Sequence, residues 1–88
     1  MWGKPMVKTT VDETGTITYN EIKGKKTSVV VKQDVYDQKR GNPEGTWYVF
    51  KITPRNVRTE FEGQKGECIW YAENLVKLMG SKNGGNVK

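Results

Sequence analysis

The chain has 88 residues, enough for one small domain, and fifteen Lys and Arg against ten Asp and Glu give it a net charge of +5. With no histidine and a single cysteine, an internal disulfide and the Ser-His and Cys-His nucleophile designs are excluded, and zinc lacks its usual ligands. No apolar run approaches the roughly 20 residues of a membrane span and no secretory segment is visible, so with a lone thiol the expected location is cytoplasmic.

Ten Val, four Ile and nine Thr stand against one Ala and two Leu. Branched Cβ atoms stiffen χ1 and suit a pleated surface, so the composition predicts a mainly β protein. Residues 1–80 form one β-rich domain in this reading, and Ser81–Lys88, with two lysines and no acid, a flexible basic tail.

In chain order, Met1 to Pro5 is a loose start. Alternation over Met6 to Val11 and Thr16 to Ile22 predicts two strands joined by the turn Asp12-Glu13-Thr14-Gly15, with Ile17 and Tyr19 on one face. Lys23 to Lys26 is a second turn. Thr27 to Tyr36 is the strongest strand, with Val29, Val31 and Val35 on one face and Ser28, Lys32 and Asp34 on the other, which Val30 and Tyr36 share. Asp37 to Gly45 reads as a loop. Thr46 to Thr53 is the next strand, ended by Pro54, and its faces are Tyr48, Phe50 and Ile52 against Trp47, Val49 and Lys51. The more apolar first set is taken as inward. Val57 to Glu62 is a further strand, and Gly63 to Gly66 turns into another over Glu67 to Tyr71. Ala72, Leu75, Val76 and Met79 repeat at helical spacing and predict one short C-terminal helix over about Ala72 to Met79, closed by Gly80. The expected fold is a small antiparallel sheet, or an SH3-like partly open barrel, of about five strands with that helix on one side.

Catalytic constellations are weak. Glu60, Glu62 and Lys65 faintly suggest a metal-nuclease set, but acids spaced by two on a strand ordinarily mark its wet face. Asp12-Glu13 and Asp34 with Asp37 read as turn and surface residues, and Cys68 as a buried or half-buried thiol. Neither a P-loop nor a dinucleotide fingerprint is present. The reading is therefore a non-enzymatic protein without a cofactor or metal.

Phosphate backbones attract clustered cations, and single strands also use exposed aromatics for stacking. On the chosen faces, Lys8, Lys32, Trp47, Lys51 and Arg58 point outward, and Lys25, Lys26, Arg40 and Arg55 line the rim. The eight of these other than Lys8 form the candidate nucleic-acid site, single strands favoured, with Trp47 stacking a base. Asp34, Glu60 and Glu62 share that outer face, and a plain solvated surface explains the lysines equally well. A one-residue register slip exchanges the two faces. The alternative is a protein-interaction module or inhibitor, binding a larger partner through a sheet edge or a Trp/Val patch, with self-association as a homodimer its simplest form. Strands followed by one helix on a small basic chain resemble chromatin-type SH3-like barrels and single-strand-binding sheet folds. That resemblance rests on architecture and carries no residue over.

Overall fold

The computed structural model describes residues 8–20, 26–42 and 44–80. The sequence readings at Met1–Pro5, the Lys23–Lys25 part of the second turn and the 81–88 tail lie outside these residues. Five strands follow one another as an antiparallel meander: β1 Lys8–Val11, β2 Ile17–Asn20, β3 Ser28–Gln33, β4 Trp47–Ile52 and β5 Val57–Gly63. Helix α1, Val35–Arg40, joins β3 to β4, and α2, Lys65–Gly80, follows β5. The mainly β, β-plus-α expectation holds. The sheet stays open, with β1 and β5 as its two edges, so the barrel alternative falls.

Pairing aligns residues from neighbouring strands into rows across the sheet. One row runs Val11, Ile17, Val31, Val49, Phe61; the next is Thr9, Tyr19, Val29, Lys51, Arg58 on the same face. Alternate rows belong to the other face. The core is built from Tyr19, Val29, Val31, Trp47 and Val49 of the first face with Cys68 and Ala72 of α2. Val29, Val31, Val49 and Cys68 are fully buried. Burial pushes the Cys68 thiol above its ordinary range, which keeps it protonated and unreactive at neutral pH.

Three sequence expectations are corrected. Trp47, Val49 and Lys51 of β4 face the α2 side, as does Arg58 of β5, while Tyr48, Phe50 and Ile52 face outward, the reverse of the set chosen from apolarity and of the outward placement expected for Lys51 and Arg58. Val31 opposes Val49 and Gln33 opposes Trp47, and β3 admits only one inward set, so its parity is imposed on β4. Glu67 to Tyr71 is helix, because the stripe Cys68, Ala72, Leu75, Val76, Met79 keeps a 3.6-residue period from the start of α2. The Gln64 N–H donates to Glu67 Oε1 at 3.1 Å, one arm of a capping box. Finally, Val35 and Tyr36 open a helix instead of extending β3, leaving both exposed. Asp34 caps it by accepting from the Tyr36 and Asp37 N–H groups, and Gly41 closes it in the left-handed conformation at φ 68°.

Local polar contacts hold the turns. At the β1–β2 turn, Asp12 Oδ1 accepts from the Thr14 hydroxyl at 2.6 Å and from the Thr14 and Thr16 N–H groups, while Gly15 takes φ 87°. The Thr14 hydroxyl is the main cause holding the Asp12 carboxyl below its ordinary range. Beyond α1, Asp37 Oδ2 accepts from the Thr46 N–H at 2.9 Å, and a side chain on Gly45 would collide with the Asp37 carboxyl carbon. Gly45→Ala is therefore expected to destabilise the fold by about 1–3 kcal/mol, read as a lower urea midpoint with an unchanged slope.

Candidate nucleic-acid interface

The eight predicted site residues divide. Lys51 and Arg58 are direct cross-strand partners between β4 and β5. Arg55 sits on the connecting turn, where its N–H and that of Asn56 donate to Thr53 Oγ1 and the Thr53 N–H donates to the Asn56 carbonyl. Such a turn fixes the backbone and leaves the guanidinium in solvent. Lys26 is exposed just before β3, at the same end of the sheet. These four converge. Lys25 lies outside the described residues. Lys32 is on the outer face three rows away, opposite Tyr48, which itself opposes Glu62. Arg40, exposed in the last turn of α1, belongs to the opposite end.

Trp47 leaves the site altogether. Only 4% of it is exposed; the ring lies under Lys65, whose Nζ is 5.3 Å from the ring centroid, and reaches the turn at Gly15. A ring enclosed in this way has no free face for a base.

The outer row at the convergent end reads Lys8, Asn20, Ser28, Ile52, Val57, tied by a Ser28 Oγ to Asn20 Oδ1 hydrogen bond of 3.1 Å. Lys8, which the sequence reading places on the outward face but not among the eight site residues, therefore joins the group. Four strand intervals make this row about 19 Å wide. Lys8, Lys26, Lys51, Arg55 and Arg58 thus bracket one end of the sheet from both faces. Among the described residues, neither its two terminal rows nor the turn at Thr53–Asn56 contains a carboxylate. Glu73 of α2 comes close enough to contribute, after burial, to raising the Tyr19 hydroxyl, so the helix side is less purely cationic. In sequence, the 21–25 connection between β2 and β3 adds Lys23 and Lys25 against Glu21.

The segregation matters more than the total. The described residues hold ten Lys and Arg against nine Asp and Glu, so they account for only +1 of the chain's +5. The other end of the sheet and its connections hold Asp12, Glu13, Asp34, Asp37, Glu44, Glu62 and Glu67 alongside Lys32, Lys39, Arg40 and Lys65. Near-neutral in sum, the described residues are thus cationic at one end of the sheet and net acidic at the other.

The outward face of β4 is the feature that sequence reasoning missed. Phe50 and Tyr48 lie there with ring centroids 5.8 Å apart, Phe50 beside Val30 and Thr59, and the Tyr48 hydroxyl donating to Asp34 Oδ1 at 3.1 Å. That bond, with the charges of Asp34, Glu62 and Asp37, raises the Tyr48 hydroxyl's pKa. Because β4 is apolar on both sides, no polar set marks which face is wet.

The faint acid-acid-lysine set does not assemble. The register shifts between Val49 and Phe50, so Glu60 is the extra residue of a β-bulge. It turns to the helix side, where the Tyr71 hydroxyl donates to it at 3.5 Å, while Glu62 opposes Tyr48 on the other face. Lys65 is over Trp47. Among the described residues no group of three Cys, Asp or Glu side chains could hold a metal ion, and no helix is long and apolar enough to cross a membrane. No family model matches the chain, and neither a curated protein nor a solved structure matches it.

Proposed function

We propose that the chain is a non-enzymatic nucleic-acid-binding domain of the cytoplasm that takes the phosphate backbone, preferentially of a single strand, at the cationic end of its sheet. The observation that carries this reading is the set Lys8, Lys51, Arg55 and Arg58 on two terminal rows and a turn that hold no carboxylate among the described residues, with Lys26 just before β3 at the same end. A polyanion gains from such a cluster by releasing its condensed counterions, whereas a solvated surface gains nothing from separating its charges. The test is fluorescence anisotropy of a labelled oligothymidylate across a salt series. With about five phosphate contacts, log K should fall against log salt with a slope near −3 to −4. Absence of binding even at low ionic strength sinks the proposal.

A second reading, a protein partner or a second copy, is favoured by a different surface. Trp70 and Leu78 are 67% and 70% exposed, and with Tyr71, Asn74 and Leu75 they line an apolar groove of about 220 Å³ along α2. Tyr71 stacks on Phe61 at 4.8 Å, so this side of the helix is beside the edge strand β5. The Trp/Val patch of the sequence reading, Trp47 with Val49, is buried and unavailable for this role.

A further inference from the structure

Phe50, half-buried, stands on the sheet face that α2 does not cover, and Val30, Thr59, Ile52 and Tyr48 surround it in register, whereas Lys51 and Arg58 lie on the α2 side of the same end. Its row is adjacent to the terminal row that begins with Lys8. On the far side of Phe50 the face changes character. Tyr48 is flanked by Lys32 and Glu62, and its hydroxyl is held by Asp34. Carboxylates thus flank Tyr48 at the end of β4 away from the cationic end, with Lys32 beside them.

We propose that Phe50 is the base-stacking platform of this protein, and that a single strand crosses the sheet along its rows with phosphates at the cationic end and bases lying inward over Phe50. This rests on the reading of that end as a phosphate site. Charge complementarity selects the occupant. Cations at one end and carboxylates two rows further in would hold a polyanionic backbone at the rim and keep it off Tyr48. The apolar strip between them suits the flat face of a base. An apolar protein segment leaves the cations unused, and a duplex keeps its base faces inside its own stack, so only an unpaired strand uses both features. Stacking tolerates any base, so weak sequence preference is expected. Tyr48, held by its bond to Asp34, lies beside the Phe50 ring, the two ring planes 32° apart.

The experiment compares oligothymidylate, an abasic strand of the same length and a duplex, each against the intact chain and its Phe50→Ala, Phe50→Leu and Phe50→Tyr variants. Loss of the aromatic ring should weaken oligothymidylate binding about 5- to 150-fold. The abasic strand and the duplex should bind the variants as they bind the parent, and Phe50→Tyr should retain parental affinity. Phe50→Leu keeps the apolar cover of the face, so it separates loss of stacking from loss of folding, with far-UV circular dichroism as the control. If the parent binds oligothymidylate with the expected salt slope and both ring-deleting variants match it, the stacking platform is overturned while the phosphate site stands. If the parent binds neither strand at low salt, both proposals fail together.

Discussion

Trp47→Ala is expected to lower the stability of the domain by about 3–5 kcal/mol, the range for truncating a large buried aromatic. Small domains have total stabilities of only about 5–15 kcal/mol, so much of the population should unfold near physiological temperature. The mechanism is specific to this position. Trp47 fills the end of the core between Gln33 and Gly63, and Lys65 and the Gly15 turn close over it. Gly63 directly opposite offers no side chain, so nothing from β5 can collapse into the space left behind. Gln33 beside it is held by its Nε2 donating to the Asn42 carbonyl at 2.6 Å and is not free to move in. Trp47→Phe should cost distinctly less than Trp47→Ala. The indole Nε1 is buried without a hydrogen-bond partner, and the smaller ring removes that orphan donor along with some volume. Urea denaturation followed by far-UV circular dichroism reads both variants. A Trp47→Ala protein as stable as its parent contradicts the inward placement. If Trp47 were instead the stacking residue on a wet face, the loss would appear in binding and leave the urea midpoint alone.

Arg55→Glu combined with Arg58→Glu should reduce oligothymidylate affinity at low salt by at least about tenfold and flatten the salt slope by about 1.4, since each lost phosphate contact removes about 0.7 from it. Both residues are exposed, so thermal stability should change by no more than about 0.5 kcal/mol per substitution. Lys39→Glu with Arg40→Glu makes the same change in net charge at the opposite end, among Asp34, Asp37 and Glu44. That control should leave the slope unchanged. Equal losses in both double variants mean that net charge alone attracts the oligonucleotide, and the cationic end then has no special role.

The two experiments mark how far the residues speak for themselves. The first hairpin is legible because Ile17 and Tyr19 alternate with Thr18 and Asn20, and Asp12 with Gly15 supplies the turn chemistry. β3 is equally plain, since Ser28 and Lys32 name the wet side and Val29 and Val31 the dry one. Helix α1 had a readable signature, a capping Asp34 with Asp37 three residues on and Gly41 at the close. The valine and tyrosine at 35 and 36 continue the strand's apolar alternation and hide it. Over Glu67–Tyr71 five residues are too few to separate a period of two from a period of 3.6. Only the continuation through Ala72, Leu75 and Val76 decides for a helix.

Four of the eight site residues come together and Trp47 does not, and the reason lies in β4. The β-branched excess, the turn residues and the clean alternation of β3 are properties of the chain itself, and by themselves they determine a meander of about five strands covered by a C-terminal helix. The inward face of a strand that is apolar on both sides is not a local property. Pairing with Val31 on one neighbour and Phe61 on the other decides it, because side chains alternate strictly and one shared row fixes every other. The charge of +5 is likewise a fact of composition, but the placement of Lys8 and Arg58, fifty residues apart in sequence, at the same end of the sheet exists only once the rows are formed.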